Sequence, residues 1–292
     1  MKVLLTGGTG QVGAALKEAL APLGAVLAPR RNGMDLASPD SILRVVRSFR
    51  PELIVNAGAF TAVDLAESQP GIAATVNADA PAILAGEAKR LGAAIVQLST
   101  DYVFDGAKAA PYVETDAPAP LNAYGRTKLE GEKAVAASGA RHLILRTSWV
   151  YAVKGKNFLN TILRLAAERD ELRVVDDQRG APTSATQIAF ALSEILNSDW
   201  ESGLFHMSCS GETTWYRFAQ AILARRPPER MPALIPISSS EHAAPARRPA
   251  NSVLDNSKLL DTFGVRLPSW EDALEKVLGE IPAAPLSRGE RA

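Results

Sequence analysis

Short apolar runs recur along the first half of the chain, at residues 3–5, 25–28, 53–56, 94–98 and 142–147. Each run is continuous rather than alternating, the pattern of a strand covered on both faces inside a parallel sheet. Between them lie segments with apolar positions at helical spacing: 14–20, a stretch beginning at Ser38-Pro39-Asp40, an alanine-rich stretch over 76–91, and one opening at Asn122. Ser38-Pro39-Asp40 is a helix-start signal, a capping hydroxyl followed by a proline that lacks an amide the first turn would leave unpaired. Strand and helix alternate strictly up to residue 147, which predicts an α/β fold of Rossmann type, a doubly wound parallel sheet. Beyond that point the alternation loosens. Helices are predicted over 157–169, 185–197, 215–224 and 272–278, short strands over 172–175, 204–207 and 234–237, and loops at 176–183, 227–228 and 238–249. The expected division is a nucleotide-binding domain over 1–150 completed by a later segment near 172–200, a smaller α/β substrate-binding part over 151–280, and a flexible tail over 281–292.

Composition changes this picture mainly by exclusion. The 292 residues carry 32 Lys+Arg against 32 Asp+Glu, so no bulk charge draws the chain to nucleic acid or to an anionic membrane. No uncharged apolar run nears the ~20 residues of a membrane span. The N-terminus enters a glycine turn after too few apolar residues for a signal peptide, and the single Cys209 has no partner for an internal disulfide. Both point to the cytoplasm. His142, His206 and His242 are scattered without acidic or cysteine neighbours at ligand spacing, so no metal site is expected. The chain has no Gly-x-Ser-x-Gly elbow, which counts against a hydrolase of that type.

Candidate chemistry sits where the predicted strands end. The first runs into Thr6-Gly7-Gly8-Thr9-Gly10-Gln11-Val12-Gly13. Gly7, Gly10 and Gly13 there permit a tight turn, a close backbone approach to a pyrophosphate and close helix–strand packing, while the following helix N-terminus offers amides to phosphates. The second strand ends in Pro29-Arg30-Arg31, where a carboxylate would select NAD. Two guanidiniums suit a 2′-phosphate instead, or form a solvated basic loop. Asp35-Leu36 follows, with Asp35 near an adenine or in a turn. Ala57, Ala59 and Thr61 close the third strand with small residues that let backbone approach a ligand. Ser99-Thr100 closes the fourth, offering a hydroxyl to a carbonyl or capping the strand end. Trp149, after the fifth, walls a pocket or fills core. Tyr124 and Lys128 lie four apart on the helix opening at Asn122, hence one above the other on one face. An ammonium beside a phenol favours the phenolate, and so is expected to lower the tyrosine pKa from ~10 toward the range of a general acid.

In this order, Gly7-x-x-Gly10-x-x-Gly13, Asn56-Ala57-Gly58-Ala59, Ser99-Thr100 and Tyr124-x-x-x-Lys128 make the chain resemble the extended short-chain dehydrogenase/reductases. Longer runs narrow the likeness to the dTDP-4-dehydrorhamnose reductase family: Thr9–Gly13, Phe60-Thr61-Ala62-Val63-Asp64-x-Ala66-Glu67, Ser99-Thr100-Asp101-Tyr102-Val103-Phe104, Arg146–Tyr151, Gln178-x-Gly180-Ala181-Pro182-Thr183 and Arg248-Pro249-x-Asn251-Ser252. The resemblance implies hydride transfer from NAD(P)H to C4 of a dTDP-4-keto-6-deoxy sugar, with NADPH preferred on the strength of Arg30 and Arg31 and NADH possible. It implies that Tyr124 donates the proton, that Lys128 tunes it and holds the nicotinamide ribose, and that Thr100 binds the keto oxygen. Gln11, Val12 and Leu36 join the cofactor contacts, and Asp101, Tyr102, Trp149, Arg248 and Asn251 those to the sugar nucleotide. Some members have an acidic residue where Arg30 stands, and often Ala where Gly58 stands. Some are linked to magnesium and to dimers, but Ala15 and Thr186 offer no ligand, so the metal need and the choice of monomer or homodimer stay open. So do two other activities, a nucleotide-sugar epimerase or dehydratase of the same superfamily, and a non-catalytic subunit resembling the regulatory chain of methionine adenosyltransferase.

Overall fold

A strand covered on both faces can satisfy its amides and carbonyls only against neighbouring strands, and the apolar runs pair accordingly. In the computed structural model, which describes residues 1–281, six strands form one parallel sheet. They are Lys2–Thr6 (β1), Ala25–Leu27 (β2), Leu53–Asn56 (β3), Ala94–Thr100 (β4), Arg141–Thr147 (β5) and Gly203–His206 (β6), in the order β6-β5-β4-β3-β1-β2. The register runs Leu5↔Val55, Val55↔Val96, Val96↔Leu143 and Leu143↔Gly203 across the sheet. The tail expected over 281–292 lies outside the described residues from 282 onward.

Eight helices organise the rest: Gln11–Ala19 (α1), Pro39–Phe49 (α2), Ala80–Leu91 (α3), Ala123–Ala137 (α4), Phe158–Glu168 (α5), Ala185–Leu196 (α6), Trp215–Arg225 (α7) and Trp270–Glu280 (α8). Six start on a side-chain oxygen that accepts an amide of the first turn, from Ser38, Asn122, Asn157, Ser184, Thr214 and Ser269. Alternate strand residues then feed two layers. Val3, Leu5, Val55, Val96 and Leu145 pack with Leu16 of α1, Leu159 of α5 and Ile188 and Leu192 of α6. Leu4, Ile54, Ile95 and Ile144 pack on the other face with Ile42 of α2, Leu84 of α3 and Val135 of α4. The first of these layers continues into Phe218 of α7 and Leu274 of α8, so the later elements share the core of the sheet.

Several later pieces needed tertiary partners to take shape. Glu171–Val175 pairs in parallel with Ala233–Ile237, apart from the main sheet. Ser257–Phe263 is a short helix that the apolar pattern did not announce, and Val63–Ser68 and Pro70–Ala74 are two more. The alanine-rich helix expected from residue 76 opens as a π-helical turn, Thr75–Asp79. The chain leaves β1 for β2 on one side and comes back to β3 on the other. This reversal opens a crevice beyond the carboxyl ends of β1 and β3.

Candidate active site

A cavity of about 990 Å³ fills that crevice. Its lining gathers residues from five separate strand ends: Gly7, Gly10, Gln11, Val12 and Gly13; Arg31, Asp35 and Leu36; Ala57, Ala59 and Thr61; Thr100, Asp101 and Tyr102; and Trp149. Tyr124 and Lys128 of α4 complete it. Arg30, Arg248 and Asn251 are not part of the lining.

The glycine turn fits a dinucleotide diphosphate by its shape. Gly7 has φ +67°, and a Cβ on Gly13 would lie 2.0 Å from the Gly7 carbonyl oxygen. Only glycine lets α1 start this close to the strand that feeds it. Gly10 caps α1 without a side chain, which leaves the first amides of the helix to an anion in the cavity. At the end of β2 the arrangement is looser. The Arg31 side chain is 82% exposed and pairs at 3.6 Å with Asp35, whose own side chain is 40% exposed.

On the opposite wall the side chains are enclosed. Thr100 donates its hydroxyl hydrogen to Asp101 Oδ1 at 3.0 Å and accepts the Tyr102 amide at 3.1 Å. Lys128 is 4% exposed, and its Nζ donates to the Leu98 carbonyl at 2.6 Å. Burial pushes its pKa down to about 8, against the opposing pull of Glu132 one turn further along α4. Tyr124 is half-buried and opens on the cavity. Here the expectation from spacing is corrected. The Tyr124 phenol is pushed up to about 12 by burial, and what opposes this is the hydrogen bond to Thr100, not Lys128. A lysine that is itself desolvated and turned to a carbonyl adds little field at the phenol. Asp101, buried to 2% exposure, is raised to about 7 by desolvation, ahead of the hydrogen bonds that lower it. Burial raises Tyr102 as well, and its ring meets Tyr124 edge-on at 6.1 Å.

Residues without an expected site role, Asn77, Arg146, Glu132 and Asn122, hold this wall in place together with Arg248 and Asn251. Asn77, in the π-helical turn, bonds both the amide and the carbonyl of Phe60 (2.8 and 3.1 Å) and reaches Thr127 of α4 at 3.1 Å. It ties the loop after β3 to α4, and π-turns often occur at such functional sites. Arg146 and Glu132 form a buried two-pronged ion pair at 2.9 and 2.7 Å, fixing α4 to β5. A lone arginine in an apolar strand demands such a partner, and this much could have been read from the sequence. Asn122 caps α4 and also donates to the Arg247 carbonyl at 2.8 Å. Arg248 pairs with Asp64 at 2.9 Å and stands against the Tyr102 phenol. Asn251 is 3% exposed, and its carboxamide is taken up by the Lys108 and Ala110 carbonyls and the Val253 amide.

Trp149 serves wall and core together. It lines the cavity, is only 9% exposed, and stacks on Trp215 with ring centroids 3.5 Å apart. Its φ of +45° is strained for a bulky residue, and the stack together with the Thr183 amide on its carbonyl holds it there. Trp215 was not among the expected site residues. Among the described residues no three His, Cys, Asp or Glu come together as metal ligands, and no helix is long and apolar enough to cross a membrane.

The chain is similar to known proteins over nearly its whole length. The family model described as the RmlD substrate binding domain matches residues 1–282. A dTDP-4-dehydrorhamnose reductase of Burkholderia thailandensis is 48% identical over 288 residues, 94% of this chain and 97% of that protein. The crystal structure of a dTDP-4-dehydrorhamnose reductase from Clostridium acetobutylicum superposes with a TM-score of 0.91 at 36% identity, covering 96% of this chain and 99% of the other. That of the Bacillus anthracis enzyme, solved in complex with NADP, does so with a TM-score of 0.89 at 34% identity, again covering 96% and 99%.

Proposed function

The chain belongs to the RmlD substrate-binding-domain family, and from that premise we propose that it is an NADPH-dependent reductase converting dTDP-4-dehydro-L-rhamnose to dTDP-L-rhamnose. The observation that carries the reading is the meeting of Thr100, Tyr124 and Lys128 in the same cavity as the glycine turn. When bound, NADPH supplies the hydride that reduces the C4 carbonyl of the sugar. The amides of the glycine turn and of the first turn of α1 would hold its diphosphate, and the backbone at Ala57 and Ala59 would let its flat groups approach.

The protein's own part is proton and charge. As C4 is reduced, its oxygen becomes an alkoxide, a base strong enough to take the Tyr124 proton despite the raised phenol pKa. Thr100 faces both Tyr124 and Asp101, and so orients the phenol and the keto oxygen toward each other. Thr100, the group that lowers the phenol pKa, stabilises the phenolate left behind, an interaction stronger in the transition state than in the ground state, while Lys128, which adds little field at the phenol, would hold the nicotinamide ribose with its ammonium. Tyr102, backed by Arg248, and Trp149 flank the sugar. Residues 1–150 with α6 and β6 make the nucleotide half, and the elements after residue 150 otherwise close over the substrate. Cys209 is buried with its thiol pushed up to about 12, inert as suits a reducing cytoplasm.

A dehydratase would need a second acid beside Asp101, where Tyr102 stands. The deciding experiment follows NADPH consumption and dTDP-L-rhamnose formation by the purified protein given dTDP-4-keto-6-deoxy-L-mannose. Stoichiometric conversion is expected, and absence of turnover with this substrate would overturn the reading.

A further inference from the structure

Residues 152–157, Ala-Val-Lys-Gly-Lys-Asn, join the short strand Val150–Tyr151 to α5. Two asparagines shape this loop from within. Asn160 Nδ2 donates to the carbonyls of Ala152, Val153 and Gly155, at 3.3, 3.1 and 2.9 Å. Asn157 Nδ2 donates to the Ala152 carbonyl at 2.8 Å and to Gln11 Oε1 at 2.7 Å. Gly155 turns the chain at φ +92°, and a Cβ there would lie 3.4 Å from Gln11 Cγ. The loop is therefore pinned against the first turn of α1, whose amides belong to the glycine turn.

Lys154 and Lys156 flank Gly155. Both are exposed, both line the cavity that Gly10 and Gln11 line, and among the described residues neither takes part in an ion pair or a side-chain hydrogen bond. The other charged groups of the lining are differently placed. Arg31 is paired with Asp35, Lys128 is bonded to the Leu98 carbonyl, and Asp101 is bonded to Thr100. Two unneutralised ammonium groups on a braced loop beside a helix N-terminus call for a polyanion, and a lysine serves a phosphate as a compact point charge.

We propose that Lys154 and Lys156 form a cationic clamp on the diphosphate of the dinucleotide cofactor, added to the amide contacts of the glycine turn. The clamp rests on the reductase reading above, since it needs a dinucleotide in the cavity. The sugar nucleotide also carries a diphosphate, but the anchor to Gln11 places the loop on the cofactor side.

The test measures dissociation constants of NADPH and NADH, by cofactor fluorescence, for wild type and for Lys154→Ala/Lys156→Ala at low and moderate salt. Both constants are expected to rise about tenfold at low salt, one good charge-assisted contact's worth, with a shallower salt dependence than wild type. Lys154→Arg/Lys156→Arg should restore most of the affinity, and the thermal midpoint of each variant should match wild type because the lysines lie outside the core. Dissociation constants within twofold of wild type would overturn the clamp while wild-type turnover leaves the reductase reading standing. A rise for NADPH alone would move the lysines to the 2′-phosphate, and a rise only in KM for the sugar nucleotide would move them to its diphosphate; either refutes the assignment. Failure of the wild type to bind either cofactor would remove the reductase reading, and the clamp with it.

Discussion

On the β1–β3 side of the cavity a ligand meets backbone and exposed side chains; on the β4–α4 side it meets buried ones. The first wall is a matter of shape. Gly7 and Gly13 leave no room for a Cβ, and the charges near it, Arg31, Asp35, Lys154 and Lys156, are solvated. The second wall is a matter of electrostatics. Lys128 and Asp101 are enclosed and Tyr124 is half-buried, and burial moves each toward its neutral form, to about 8, about 7 and about 12. Exposed charges are screened and cheap to change, whereas enclosed ones are coupled strongly to whatever develops beside them. Substitutions on the two walls should therefore differ in size and in what they alter.

The largest effect is expected from Tyr124→Phe, which removes the proton donor and nothing else. It should lower kcat by ~10²–10⁴-fold with the NADPH dissociation constant unchanged. Near-normal kcat would remove Tyr124 from the chemistry. On the glycine wall, Gly13→Ala places a methyl 2.0 Å from the Gly7 carbonyl oxygen, a backbone clash with no flexible side chain to yield. Cofactor affinity should drop with an overpacking penalty of ~1–3 kcal/mol in stability, read as a lower thermal midpoint and a weaker NADPH titration.

Trp149 joins the two kinds of wall, and Trp149→Ala should report both. The loss of its stack on Trp215 should cost ~3–5 kcal/mol of stability, together with a fall in kcat/KM for the sugar nucleotide. A fall in kcat/KM at unaltered stability would contradict the packing role.

Acid–base behaviour sharpens the comparison further. In kcat/KM the free protein should show an alkaline limb near pH 8, where Lys128 loses its ammonium proton, and this limb should be missing in Lys128→Met. For stability the sign runs through Asp101. Its carboxyl is raised by burial to about 7 in the folded protein, so the folded state holds the proton more tightly than the unfolded chain. Stability from this group is full below pH ~4 and is lost as pH rises through 7. Asp101→Asn should then gain thermal midpoint relative to wild type on going from pH 5 to pH 8. An unchanged difference would mean that Asp101 is ionised when folded.

The smallest effects are expected at the end of β2. An ordered arginine on a 2′-phosphate would bring a tenfold or greater preference for NADPH. Exposure and the Asp35 partner reduce this, so Arg31→Ala should cost only a few-fold in NADPH kcat/KM, shrinking with salt, and Arg30→Ala less still. A tenfold loss from Arg31→Ala at moderate salt would show that the side chain becomes enclosed when cofactor binds.

The sequence alone determined the parallel sheet and the places where its chemistry sits. Five strands announced themselves as unbroken apolar runs, because a strand covered on both faces has no polar side to show, although β2, at the edge of the sheet, stays partly exposed. The glycine turn and the Tyr124–Lys128 spacing were equally plain, since both depend on residues a few positions apart. Tertiary structure decided what depends on distant partners. Gly203–His206 became the sixth strand only by lying beside β5, and Asn77 entered the site only because a π-turn aims it at Phe60 and Thr127. Trp215 met Trp149 across 66 positions of sequence. Arg248, expected at the substrate, pairs with Asp64 and stands against Tyr102, while Asn251 is held by the Lys108 and Ala110 carbonyls of a distant loop and by the Val253 amide. The charge states were the least legible of all. Spacing put an ammonium beside a phenol and so forecast a lowered pKa, but the burial that overrules it is a property of the whole fold.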